Sequence, residues 1–162
     1  MERINKILEE NQIQPYVVIL IIGDPSDIVW GEPTPMPDLY SKSFDKIIAN
    51  IWYISDRLDS IFMIPTGSID HIVINYDPNR KSRKYTILDY IKYAKDRCTA
   101  ITFSSSFLHA GASTDTQKEL ETICKQNNIT IKKPDIQDIC TKVHHIRKMQ
   151  IDHKIKAILS QF

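Results

Sequence analysis

Residues 17–22 are apolar without interruption, Val17-Val18-Ile19-Leu20-Ile21-Ile22, with Tyr16 ahead of them and Gly23-Asp24-Pro25 behind. A β-branched run of this length, closed by turn residues, predicts a strand buried on both faces. Upstream, Ile4, Ile7 and Leu8 recur at helical spacing, which predicts a short helix over residues 2–12 that ends before Pro15. Downstream, Pro25, Pro33, Pro35 and Pro37 together with Gly31 leave room for no regular element, so residues 24–40 read as a long loop. Phe44, Ile47, Ile48, Ile51, Trp52 and Ile54 fit one broad helical face, predicting a helix over residues 39–58. Two strands follow, over residues 61–64 and 69–76, separated by the Pro65-Thr66-Gly67-Ser68 turn and closed by Asp77-Pro78-Asn79. Thr86 is placed to cap a helix carrying Ile87, Leu88, Ile91, Tyr93 and Ala94. A strand over residues 100–103 ends in Ser104-Ser105-Ser106, and the next helix turns Leu120, Ile123 and Cys124 inward. A short strand over residues 129–131 and a long helix over about 136–160 complete the pattern.

Strands that alternate with helices argue for a mainly parallel sheet covered by helices on both faces. The expectation is an α/β fold: one Rossmann-like or flavodoxin-like domain over residues 1–162, with a mainly parallel five-stranded sheet. Length agrees, since 162 residues suit one domain rather than two. With 42% hydrophobic and 25% charged residues the composition is that of a globular protein, which excludes a disordered or collagen-like chain. Lys and Arg number 21 against 20 Asp and Glu, so nothing in the overall charge draws the chain to nucleic acid or to an anionic membrane. Four glycines are too few for a Walker-type phosphate loop or a GxGxxG turn.

Cys98, Cys124 and Cys140 are an odd number without a CxxC pair, and no apolar leader precedes them. This pattern predicts reduced thiols in a cytoplasmic protein, the host cytoplasm if a virus encodes it. The apolar run at residues 17–22 is too short to span a bilayer. Cys140 and His144 stand four apart on the last helix, but without a second matched pair the histidines read as surface residues, so neither a metal nor another cofactor is expected.

In open parallel sheets ligands bind at the carboxyl ends of the strands. That rule selects three loops: residues 23–40, residues 77–85 and residues 104–115. The first carries Asp24, Trp30 and Asp38, the second the basic run Arg80, Lys81, Arg83 and Lys84, and the third Ser106, His109, Ser113 and Asp115. Acids and serines also dominate ordinary turns, and four cations in a short loop also read as a solvated turn. Trp30 offers an aromatic face to a nucleobase, or closes its loop over the core. Asp115 has its own structural explanation, because Thr116 and Glu119 form a capping-box pattern at the head of a helix.

Two segments carry a family likeness. Ile22-Gly23-Asp24-Pro25, through Pro37-Asp38-Leu39-Tyr40 to Phe44 and Ala49, resembles the opening of the nucleoside 2-deoxyribosyltransferase-like superfamily. Cys98-Thr99-Ala100-Ile101, Ser106 and His109-Ala110-Gly111-Ala112-Ser113-Thr114-Asp115 resemble its later strand, serine loop and helix-borne carboxylate. The resemblance implies cleavage or transfer of the N-glycosidic bond of a nucleoside or nucleotide. Asp115, or Glu119 one turn on, would be the nucleophile, although the family normally has Glu where Asp115 stands. Asp24 and Asp38 would bind sugar hydroxyls, Trp30 would stack the base, and Ser106 and Ser113 would donate hydrogen bonds. Arg80, Lys81 and Arg83 could hold a phosphate. The alternative is a non-catalytic Rossmann-like module that binds a nucleotide or a protein partner. On the last helix, Ile136, Ile139, Val143 and Ile146 form one stripe, and Ile151, Ile155, Ile158 and Phe162 form a second, rotated one. One sheet face would struggle to cover both, which predicts a homodimer through this helix.

Overall fold

The computed structural model describes residues 16–24, 39–44, 47–55, 69–80, 84–109 and 111–161. The helix expected over 2–12, the strand over 61–64 and most of the proline-rich loop lie outside these residues. Strand β1 (Tyr16–Gly23) is the long apolar run. Val17, Ile19, Leu20, Ile21 and Ile22 are all fully buried, so their transfer from water contributes roughly 10 kcal/mol before the entropy of ordering is subtracted. Burial on both faces requires a strand neighbour on each side and a helical layer above and below, and that is the position β1 holds.

The segment expected to be a helix over residues 39–58 is a pair of antiparallel strands instead, β2 (Leu39–Phe44) and β3 (Ile47–Ser55). The apolar positions that fit a helical face also fit a strand buried on both sides: Ala49 and Ile51 enter the core on one face, while Trp52 packs against the other. Ile47, Ile48, Ile51 and Ile54 favour the pleated surface, whereas Ser41, Ser43 and Asn50 are poor helix formers. The Ser41 hydroxyl donates to Asn50 Oδ1 across the pair at 2.7 Å. β3 pairs in parallel with β1 along the full length of β1, from Tyr16–Ile48 to Gly23–Ser55.

On the other side β1 pairs in parallel with β4 (His71–Asn75). Helix α1 (Ile87–Arg97) then leads to β5 (Ile101–Ser104), and the short α2 (Ser106–His109) and α3 (Thr114–Gln126) lead to β6 (Thr130–Lys132). Helix α4 (Ile136–Leu159) closes the chain. Among the described residues the sheet has six strands in the order β2-β3-β1-β4-β5-β6, five of them parallel and β2 an antiparallel edge. Taken in chain order, the parallel strands lie 2-1-3-4-5, the flavodoxin-like doubly wound arrangement. Thr86 caps α1 as expected, in a complete capping box with Asp89.

The faces of the sheet differ. On one, Leu20, Ile22, Ile72, Ile74 and Phe103 pack under Tyr90, Ile91 and Ala94 of α1 and Leu120 and Cys124 of α3. On the other, Val17, Ile19, Ile21, Ala49, Ile51 and Val73 pack under Ile136, Ile139 and Cys140 of α4. β5 and β6 alternate apolar and polar along Ile-Thr-Phe-Ser and Thr-Ile-Lys, so the polar residues of both strands share the α4 side. A charged clasp fixes α4 to the amino-terminal edge of the sheet. Arg147 donates to Tyr16 O at 2.7 Å and to Asp70 Oδ1 at 2.6 Å. Asp70 in turn accepts from Val18 N–H through Oδ2 at 2.9 Å and donates its own N–H to Val18 O at 2.9 Å, which extends the β1–β4 ladder by one step.

His71 belongs to the polar part of the α4 side, its Nε2 2.7 Å from Thr102 Oγ1. Burial, and then the charges of Lys132 and Lys142, push its pKa down to about 4. The folded protein therefore resists a proton that the unfolded chain accepts near pH 6.5, and stability falls as pH drops through that window. Denaturant titrations between about pH 7 and pH 4 should show a loss of roughly 2–3 kcal/mol attributable to this group. The His71→Gln variant should lack that share of the loss.

Candidate functional site

A doubly wound sheet opens a crevice where its chain order reverses, at the carboxyl ends of the first strand and the strand beyond it. Here those are the ends of β1 and β4, with the end of β5 beside them. Gly23 makes the close approach possible. Its φ is +112°, and a Cβ placed there would lie 2.1 Å from the carbonyl oxygen of Asn75. With no side chain in the way, Asp24 N–H donates to that oxygen at 2.9 Å, and Asn75 Nδ2 returns a hydrogen bond to Asp24 O at 2.8 Å. Backbone and amide together lock the two strand ends.

The Asp24 side chain, 1% exposed, sits inside this junction. Its Oδ2 accepts from Asp77 N–H at 2.9 Å, and its Oδ1 is paired with Arg80 Nη1 at 3.0 Å. Arg80 is itself a quarter exposed, so its side chain connects the buried acid to solvent. From the β5 side, Ser106 Oγ donates to Asn75 Oδ1 at 2.7 Å, and Ser106 N–H bonds to Ser104 Oγ at 3.3 Å. The carboxyl ends of β1, β4 and β5 thus share one hydrogen-bonded network of Asp24, Asn75, Asp77, Arg80, Ser104 and Ser106. Both carboxylate oxygens of Asp24 are held by donors, which suits a residue that positions others. Asp77, Arg80 and Ser106 are the members of the network with solvent access.

Three of the residues singled out from the sequence, Asp24, Arg80 and Ser106, are brought together. Asn75 was missed because it reads as the tail of an apolar strand; the signal was a single amide closing the Ile-Val-Ile run. Asp77 read only as a turn former, and it contributes a backbone N–H. Ser113 is the N-cap of α3, accepting from Thr116 N–H at 3.2 Å, so the capping-box reading of Thr116 and Glu119 is corrected: Thr116 lies inside the helix. Asp115 stands in the first turn of α3 and Glu119 one turn on, both exposed. Among the described hydrogen bonds, neither joins the Asp24 network. Trp30, Asp38, Lys81 and Arg83 lie outside the described residues, as does the His109 side chain.

Other chemistries find little here. Burial pushes the Cys124 and Cys140 thiols up to about 11 and raises Cys98 as well, which keeps all three as thiols rather than nucleophilic thiolates at neutral pH. Among the described residues no group of three or more His, Cys, Asp or Glu side chains converges as metal ligands would. No described helix is long and apolar enough to cross a membrane.

Fold and crevice together define a doubly wound α/β domain whose polar residues gather at the reversal point of the strand order. Compared with known proteins, the chain matches no family model and has no significant sequence match among curated proteins.

The junction predicts a sharp mutational response at Gly23. A methyl group there meets the Asn75 backbone, and the positive φ is strained for any L side chain. Gly23→Ala should lose more than about 3 kcal/mol in urea unfolding, whereas Gly111→Ala should lose far less. Gly111 also has a positive φ, but a Cβ there would meet nothing within 4 Å.

Proposed function

We propose that the crevice at the ends of β1, β4 and β5 binds a nucleoside or nucleotide. The observation that carries this reading is the convergence of Arg80 and Ser106 on the buried Asp24–Asn75 pair, at the place where this fold receives its ligands. Arg80 offers guanidinium donors to a phosphate, and Ser106 offers hydroxyl lone pairs to a sugar. Tyr76 and Tyr85, both half-buried, flank the loop that carries Arg80 and supply aromatic surface for a base.

N-glycosidic cleavage or transfer is the second reading. It rests on the resemblance to the nucleoside 2-deoxyribosyltransferase-like superfamily and on Asp115, which follows the turn at Gly111 and is exposed at the head of α3. In this scheme the Asp115 carboxylate attacks the anomeric carbon, the base departs, and water or a second base completes the reaction. Thermal-shift titration with nucleosides and nucleoside monophosphates tests the binding. Arg80→Lys keeps a cation beside Asp24 but loses the planar fork, and should weaken monophosphate binding about tenfold. The same samples, assayed for released base, test the chemistry. Asp115→Ala should abolish any release while changing stability by no more than about 1 kcal/mol. If the unmodified protein binds and releases no base, the binding module is the correct reading.

The protein is also proposed to act as a homodimer through α4. Ile146, from the first stripe, and Met149 and Leu159 are 52–57% exposed on this helix, while Ile151, Ile155 and Ile158 of the second stripe are half-buried. An exposed apolar edge on a charged helix is the expected mark of a contact between copies. Light scattering coupled to size exclusion should give twice the chain mass at micromolar concentration, and Met149→Asp should return it to one. A single-chain mass for the unmodified protein would overturn the dimer.

A further inference from the structure

A second groove lies on the α4 face of the sheet, between α4, the polar sides of β5 and β6, and the turn that joins α1 to β5. Its volume is about 800 Å³, enough for a small organic ligand. Alternation along the strands explains why it is polar. Thr102 and Thr130 are register partners and lie side by side, and His71 joins them through its 2.7 Å contact with Thr102 Oγ1. Thr102 is 2% exposed, so the floor is recessed and not an open sheet surface. Among the described residues His71 Nδ1 has no hydrogen-bond partner. Ile139 and Val143 of α4 provide an apolar flank.

The lining carries five Lys and Arg side chains against three Asp, a net positive balance. Lys132 Nζ and Lys142 Nζ approach the same oxygen, Asp138 Oδ2, at 3.6 Å and 3.0 Å. Two ammonium groups on one carboxylate leave a net positive charge directed at the groove. The nearby arginines are already engaged, Arg147 with Asp70 and Arg97 over the Tyr93 ring at 3.6 Å. Asp138 occupies the space between the two lysines, but each ammonium keeps further donors, so the place left for a negative charge is beside that pair, near the threonine hydroxyls and the imidazole. We propose that this groove is a second binding site, and that it takes a small organic phosphate whose phosphoryl oxygens face Lys132, Lys142 and the Thr130 hydroxyl while its apolar body lies against Val143. Lysines act as point charges toward phosphate, and hydroxyl and imidazole N–H groups complete its hydrogen bonding.

Phenyl phosphate is a suitable probe, titrated into the full chain and followed by amide chemical shifts. The expected result is saturable shifts at Thr102, Thr130 and Lys132, with affinity falling about tenfold or more in the Lys132→Ala/Lys142→Ala double variant. Lys142 is exposed and Lys132 half-exposed at the end of β6, so the double variant should keep its fold, which its remaining amide spectrum checks. Arg80→Lys, which acts on the proposed nucleotide crevice, should leave this binding unchanged. The proposal is overturned by shifts that do not saturate, by shifts confined to Arg80 and residues 104–106, or by an affinity indifferent to loss of both lysines. Equal binding of phenol would overturn the assignment to an anion.

Discussion

A carboxylate buried to 1% exposure at the end of the central strand is the constraint around which this domain is organised. Holding a charged group away from water costs several kcal/mol unless donors surround it. Asp24 has the Asp77 N–H on one oxygen and the Arg80 guanidinium on the other. Those donors come from the segment after β4, so β4 must end level with β1, and only a glycine at position 23 allows the strands to meet that closely. Asn75 then spends both halves of its amide, one on the Asp24 backbone and one on Ser106, which ties in the end of β5. One buried acid thereby sets the relative height of three strands, and the groups that meet its needs gather where the strand order reverses.

The two faces of the sheet show how burial and alternation divide one domain into dry and wet parts. β1, β3 and β4 place apolar side chains under α4, whereas β5 and β6 place threonine, serine and lysine on that side and keep their apolar residues for α1 and α3. α4 rests its first turns on the dry part and is clamped by Arg147 at the amino-terminal edge. Its 24 residues extend about 36 Å, against about 27 Å for the eight residues of β1, so the helix outruns the sheet it covers. The exposed edge of α4 follows from that mismatch, and the groove from the polar alternation of β5 and β6.

Much of this was legible in the chain. The uninterrupted apolar run of β1 required a central place with parallel neighbours, and Thr86 and Gly23 announced a cap and a strand end. The rule that ligands gather at carboxyl ends picked out Asp24, Arg80 and Ser106 from separate loops. The failure over residues 39–58 has a physical cause: isoleucines at positions 47, 48, 51 and 54 satisfy a helical stripe and a two-sided strand equally, and tertiary pairing with β1 decides between them. Asn75 escaped because a lone amide at a strand end carries no pattern until its partner on another strand is known. His71, Lys132 and Lys142 lie far apart in the chain and share no motif; only the sheet register brings them to one groove.

The central position of β1 has a consequence for how the protein is made. The strand that needs the most partners leaves the ribosome before any of them: β3 arrives later, and β4, which completes the junction at Asp24, later still. At synthesis rates of roughly 5–20 residues per second, the Val-Val-Ile-Leu-Ile-Ile segment spends several seconds without the neighbours that will bury it. Parallel pairing offers no quick hairpin closure to cover it, since each crossover must be finished first. The nascent chain therefore exposes its longest apolar run throughout the interval in which it cannot yet fold, a direct result of placing the first described strand at the centre of the sheet.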